Sequence, residues 1–189
     1  MFLDIGVGIL TAIFVSKLFT LSITTLFIIG GIVFSLLVDI DYFFHLGRGG
    51  TTKNAHKHRS ILHRPFLYIP IGISIILFLN QAWAVLFGLC SLAHFLHDSI
   101  GIGWGIQWLY PFTKNQYTFF YRYHPPRKEK LPKKFLYVWK YGEIDMLAEK
   151  HGDEKWVENI YLRWHPYAIV EFLFFVLATL ILYFYLHNR

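Results

Sequence analysis

The sequence predicts an all-α membrane protein of about five transmembrane helices, with a basic, amphipathic cytoplasmic segment. Three observations predict it. Of 189 residues, 55% are hydrophobic and the mean hydropathy is +0.42, more apolar surface than a soluble chain of this length needs. The apolar residues gather into five runs, and a hydrocarbon core of ~30 Å takes ~20 helical residues to cross. Ionisable residues concentrate at the ends of those runs, because hydrocarbon tolerates them poorly.

The first run, Phe2 to Phe19, is interrupted only by Asp4, Thr11, Ser16 and Lys17. It has no basic n-region and no small-residue cleavage motif, so it reads as a retained helix and not as a signal peptide. The second, Leu21 to Phe44, contains Gly30 and Gly31, which let a neighbouring helix approach closely, and carries Asp39 and Asp41 at its exit end. The third, Ile61 to Leu79, has Pro65 at its start and Pro70 as a kink. Asn80 and Gln81 form a minimal turn. The fourth run, Ala82 to Ile100, carries His94, His97 and Asp98 in its final turns and is broken by Gly101, Gly103 and Gly105.

Residues 101–112, GIGWGIQWLYPF, are too short and Gly-rich to span. They read as a re-entrant or interfacial loop with Trp104, Trp108 and Tyr110 at headgroup level. Tyr123 to Lys134 has three prolines and reads as extended. Lys133 to Tyr141 and Glu143 to Trp164 read as short amphipathic surface helices. Their Lys133, Lys134, Trp139, Lys140 and Trp156 suit an anionic leaflet, and a solvated cap is the other reading. Pro166 to Leu186 is the last run. The expected organisation is a four-helix membrane domain over 1–112, a basic, aromatic segment over 113–163, and a C-terminal helix over 164–189.

Charge asymmetry orients this topology. Arg48, Lys53, Lys57, Arg59 and Arg64 follow the second run, and most other basic residues follow the fourth. The positive-inside rule puts the N-terminus and both histidine-bearing ends in the cytoplasm and the C-terminus outside, in an integral inner-membrane protein. Asp39, Asp41, His58, His63, His94 and Asp98 then share one membrane face. The single cysteine, Cys90, lies in an apolar run, which excludes a disulfide framework and a cysteine-based zinc site.

His94 and Asp98 are i and i+4, on one helix face a turn apart. They can bind one divalent ion, or Asp98 can orient the imidazole; a hydrogen bond that only fixes helix packing is the structural alternative. Imidazole and carboxylate together suit zinc, manganese or iron(II). Such an ion acidifies bound water and polarises a phosphoryl or carbonyl oxygen. His58 and His63 flank Arg59, whose planar fork can grip a phosphate or carboxylate. His45 and His56 are further candidates, and His97 points ~100° away from His94 and Asp98. His124, His151, His165 and His187 have no partner pattern and read as surface or interface residues.

The order Asp39-Ile40-Asp41, His58-Arg59-Ser60-Ile61-Leu62-His63, then His94-Phe95-Leu96-His97-Asp98 followed by Gly103 and Pro111 resembles the YdjM-like family of membrane-bound, metal-dependent hydrolases. The resemblance covers about residues 20 to 112. It implies a multi-helix membrane protein that binds a catalytic divalent metal, zinc above all, through Asp39, Asp41, His58, His63, His94 and Asp98. From the residues themselves, Arg59 and Asp98 are the candidate catalytic residues, and the expected chemistry is hydrolysis of a phosphoester or related ester, a lipid included, at the bilayer surface. Two departures stand out: Leu62-His63-Arg64 replaces the usual Thr-His-Ser, and Asp4 stands where the family often opens its first helix with Thr-His, which takes a ligand away.

Two other function classes compete. Lys57 and Arg64-Pro65, with His94 and Asp98, match parts of the type-2 phosphatidic acid phosphatase pattern. No Pro-Ser-Gly-His loop occurs, however, and Phe87 and Gly88 replace its Ser-Arg. A non-catalytic metal-binding membrane protein is the other class. Conduction is disfavoured because the polar residues cluster at one edge instead of the midplane. Nucleic-acid binding is disfavoured because the basic tract has no fold suited to it.

Overall fold

The computed structural model describes residues 1–49, 62–120, 123–125 and 128–188. Seven α-helices are described: α1 Phe2–Leu18, α2 Thr25–Leu36, α3 Ile40–Gly47, α4 Pro65–Leu77, α5 Gln81–Asp98, α6 Ile144–His151 and α7 Pro166–His187. A two-stranded antiparallel sheet, β1 Gln116–Phe119 and β2 Leu136–Trp139, is also described. The protein is therefore mostly helical, and the all-α expectation is corrected by this small sheet. The chain divides into two units: Met1–Val38, Ile69–His94 and Arg163–Arg189 in the first, Asp39–Tyr68 and Phe95–Leu162 in the second.

The first unit is built on close helix approach. Cβ atoms are absent at Gly8 of α1 and Gly31 of α2, where an added one would strike the backbone of the other helix. Without water to drive association, such small residues let backbones meet and gain packing contacts. Gly30 likewise receives the Trp83 ring, and Gly72 receives the Phe87 ring. Phe27 and Phe34 meet Trp83 edge to face at 5.0 and 5.9 Å. Ala12, Val15, Phe27, Ala82, Leu86 and Cys90 form the buried core there. Ile9, Ile13 and Ala178 form a second core, joining α1 to α7.

Helix starts follow their caps. Thr24 accepts from the Phe27 N–H and opens α2. Asn80 accepts from the Ala82 and Trp83 N–H groups and opens α5, so the Asn80-Gln81 turn is as expected. His165 accepts from the Tyr167 N–H and caps α7, a role beyond the surface or interface position read for it. Among the described residues, two helical segments are long and apolar enough to cross a membrane, Thr25–His45 and Pro166–His187. Their outward residues Leu26, Ile29, Val170, Leu173 and Leu177 are more than half exposed, a surface suited to lipid and costly in water. The helix read over Ile61 to Leu79 is the 13-residue α4. Pro65 begins it, since proline is well tolerated at the first helical position.

The second unit corrects three expectations. Lys133 to Tyr141 is not a helix. In β2, Tyr137 and Trp139 are buried while Leu136 and Val138 are exposed, the period of two that a strand requires. Its partner strand lies about twenty residues upstream, with Gln116 opposite Trp139 and Phe119 opposite Leu136. Residues 101–112 do not present all their aromatics to headgroups either. Positive φ angles at Gly101, Gly103 and Gly105 turn this segment back, and Ile106 bridges to Tyr117 of β1. Trp104 is consequently buried with Tyr137, Trp139 and Ile144, and Trp139 Nε1 donates to Thr118 Oγ1. Finally, Glu143 to Trp164 is not one helix: α6 ends at Gly152 and a wider turn follows at Val157–Tyr161. His151, read as a surface or interface residue, is buried, with Nδ1 2.8 Å from the Glu129 carbonyl oxygen.

Gly31→Ala should lower the thermal stability of the detergent-solubilised protein by about 1–3 kcal/mol, because the atom it strikes is backbone and cannot move aside. Gly47→Ala, with nothing within 4 Å, is the control and should leave the melting temperature unchanged or raise it slightly. Equal melting temperatures for the two variants would remove the close α1–α2 contact from the account.

Candidate metal centre

In the second unit the polar chemistry gathers around His63, whose side chain is fully buried. Nδ1 lies 3.0 Å from Asp41 Oδ2. Nε2 lies 3.0 Å from Asp98 Oδ2 and 3.7 Å from Asp39 Oδ1. Three carboxylates thus surround one imidazole. Local structure explains the placement. A 3₁₀ turn at Leu37–Asp39 closes α2, and α3 starts at Ile40, so Asp39 ends the tightened turn and Asp41 lies in the first turn of α3. His63 stands just before Arg64 and the helix-opening Pro65, and Asp98 is the last residue of α5.

Burial alone would lower the His63 pKa, but hydrogen bonds to Asp39, Asp41 and Asp98 outweigh it and raise it to about 10. This is a pocket that demands positive charge, which a proton on the ring or a cation beside it can meet. Metal–ligand bonds of ~2.1 Å at octahedral or tetrahedral angles hold neighbouring donor atoms roughly 3.0–3.4 Å apart. The 3.0 Å between His63 Nε2 and Asp98 Oδ2 is of that size, while Asp39 Oδ1, at 3.7 Å, stands beyond it.

One wall is apolar. Phe95 meets the His63 ring at 6.3 Å and Tyr68 at 5.6 Å, both edge to face. Trp108 packs on Phe95 and donates from Nε1 to Ser99 Oγ, which donates to the Phe95 carbonyl. Apolar surroundings strengthen the electrostatics of the polar groups they enclose. Asp39 is the carboxylate with a path to solvent: its side chain is 38% exposed, against 12% for Asp41 and 11% for Asp98.

In the first unit, His94 Nδ1 lies 3.1 Å from Asp4 Oδ1, and both residues are buried. This pair ties the first turn of α1 to α5. Helix α5 runs from the first unit into the second, and its own geometry sets His94 and Asp98 one turn apart on one face. Asp39, His63, His94 and Asp98 each offer one ligand atom, and this group could hold a metal ion. The donor set fits such an ion: two imidazoles and two carboxylates suit zinc, manganese or iron(II).

Asp41 meets the other nitrogen of the His63 ring, as Asp4 meets Nδ1 of His94. Asp4 is the partner of His94 that the sequence reading missed. Its signal was present, a lone carboxylate in the first turn of an apolar helix, but it was read there as a lost ligand and not as a partner for one. His58 and Arg59, with His56, lie outside the described residues. Among the described residues, His45 and His97, in the last turns of α3 and α5, do not belong to the metal-holding group.

A family model described as YdjM inner membrane protein matches residues 4–189. No curated protein and no solved structure matches the chain.

Asp41→Asn keeps the size of the side chain but removes the charge facing His63 Nδ1. Zinc and manganese affinity, titrated in detergent, should fall about 10–100-fold. Undiminished affinity would mean that Asp41 does not orient the ring.

Proposed function

Since the chain belongs to the YdjM inner membrane protein family, we propose that it is a membrane-embedded, metal-dependent hydrolase of a phosphoester or related ester at the cytoplasmic membrane surface. The observation that carries this reading is the repeated pairing of a buried imidazole with a carboxylate. His63 and His94 each have Nδ1 against an aspartate, Asp41 and Asp4 respectively. A carboxylate at Nδ1 fixes the tautomer and aims the Nε2 lone pair, which is how metal-ligating histidines are commonly held.

In this reading His63 and His94 bind through Nε2, and Asp39 and Asp98 bind through oxygen. Asp41 and Asp4 are positioning residues. When bound, a divalent ion, zinc for choice, supplies the charge that acidifies a water and polarises a phosphoryl or carbonyl oxygen. Asp98 serves as ligand and as a carboxylate able to take a proton beside the reacting oxygen. Asp39, the exposed carboxylate, marks the side from which water and substrate enter. His58 joins the ligand set and Arg59 holds the substrate anion, both as the motif order suggests.

We place five spans on the chain, α1, the Thr25–His45 segment, α4, α5 and α7, with the N-terminus inside and the C-terminus outside. The asymmetry of Lys and Arg between loops supports this orientation. A reporter fused after Arg189 should report the outside and one inserted near Lys130 the cytoplasm; the reverse result would overturn the topology.

A structural metal site is the competing use of the same residues, and one experiment separates the two. His94→Ala removes a ligand from a rigid helix that no mobile loop replaces. If the site is catalytic, the variant loses bound metal and cleavage of a phosphoester panel together. If it is structural, the parent binds metal and cleaves nothing, and the variant only melts earlier. Elemental analysis of the parent purified without added metal comes first, and a metal-free parent with no activity would end the hydrolase reading.

A further inference from the structure

We infer that Arg64, held by Gln107 and Tyr110, forms an anion-binding subsite that takes a phosphate or phosphoester group. The inference rests on the phosphoester reading above and names the residue that receives the anion in the described part of the chain. Arg64 directly follows His63 in sequence, and all three residues belong to the second unit. Its guanidinium carbon stands 3.8 Å from the centre of the Tyr110 ring. Its Nε donates to Gln107 Oε1 at 3.3 Å.

The support beneath it is itself fixed. Gln107 is 3% exposed, and its Nε2 donates to the Lys114 carbonyl at 3.0 Å. The amide therefore presents its oxygen, and only its oxygen, to Arg64. Stacking on Tyr110 sets the plane of the guanidinium and the Nε bond sets its rotation. Both contacts use the Nε–H and the flat face. They leave the two terminal nitrogens, the edge of the fork that matches two oxygens of a phosphate.

The charge balance points the same way. Among the described residues no carboxylate pairs with Arg64, whereas Lys150 has Glu129 at 2.8 Å and Lys140 has Glu143 at 3.8 Å. A half-buried guanidinium whose orientation the fold has already fixed loses little further freedom on gripping an anion. A purely structural Arg64, there to pin residues 107–110 to the start of α4, would show the same two contacts. The distinction is whether an added anion responds to it.

The test uses the full-length protein in detergent, with inorganic phosphate as one probe and phosphatidic acid in mixed micelles as the other. Phosphatidylcholine micelles are the control. Thermal unfolding is followed against probe concentration, with and without a chelator, and metal content is measured in parallel. The parent should be stabilised by one or both probes. Phosphate alone identifies a soluble anion, and phosphatidic acid alone a lipid headgroup. Arg64→Gln should raise the half-saturating concentration at least about tenfold, the loss of a charge-assisted, two-point contact. Arg64→Lys keeps the charge without the fork and should raise it several-fold; it decides the matter if Arg64→Gln does not fold.

Metal content in both variants should equal that of the parent. No stabilisation of the parent by either probe, or an unchanged response in the variants, would overturn the subsite. An Arg64-dependent response in a parent that binds no metal would keep the subsite and remove the metal reading. A metal-binding parent without any response would do the opposite.

Discussion

A buried imidazole enclosed by carboxylates is the interaction on which the second unit's polar chemistry depends. His63 has no exposed side-chain surface, yet Asp39, Asp41 and Asp98 all face its two nitrogens. Burying a single ionised group is costly, and burying like charges together is costlier, so an arrangement of this kind persists only where positive charge is supplied among them. A proton on the ring meets that need, as its raised pKa records. A divalent cation meets it with twice the charge. The same surroundings that make the site expensive to build make it receptive to a metal.

Helix α5 is firmly held within the first unit. It begins on the Asn80 cap, packs Trp83 and Phe87 into gaps that Gly30 and Gly72 leave, and ends at Asp98. His94 is anchored from α1 through Asp4. A position on a packed helix is held more closely than one on a loop, and catalytic or binding groups profit from that precision. The glycines that look like weaknesses in an apolar helix are what allow the anchoring, because they let α1, α2 and the aromatic rings of α5 come close.

The second unit shows how a polar segment organises itself once tertiary contacts are available. Its aromatic residues do not all serve a membrane interface. Trp104, Tyr137 and Trp139 pack on one another, and Tyr110 supports Arg64. The small sheet is the means: β1 and β2 give the basic region a backbone partner, and the turned Gly101–Gly105 segment closes against β1. Exposed Leu136 and Val138 and the lysines around them remain on the outside of that structure.

Much was legible in the sequence because hydrocarbon is an unforgiving solvent. Apolar runs, glycines within them and ionisable residues at their ends dictated the helical character, the starts of α4, α5 and α7, and the candidate set Asp39, Asp41, His58, His63, His94 and Asp98, of which His58 lies outside the described residues. Residue spacing also carried the relation of His94 to Asp98, since an i, i+4 pair needs no tertiary information. What spacing could not carry was pairing across long separations. Asp4 meets His94 ninety residues away and β1 meets β2 twenty residues away. Arg64 finds Gln107 forty-three residues on. Each such contact depends on how separate segments pack, and a one-dimensional pattern records only which residues are able to take part. Leu136 to Trp139 are all apolar or aromatic, so no alternation in the chain marked the strand, and lysines on either side imitated an amphipathic helix until a partner strand decided the conformation.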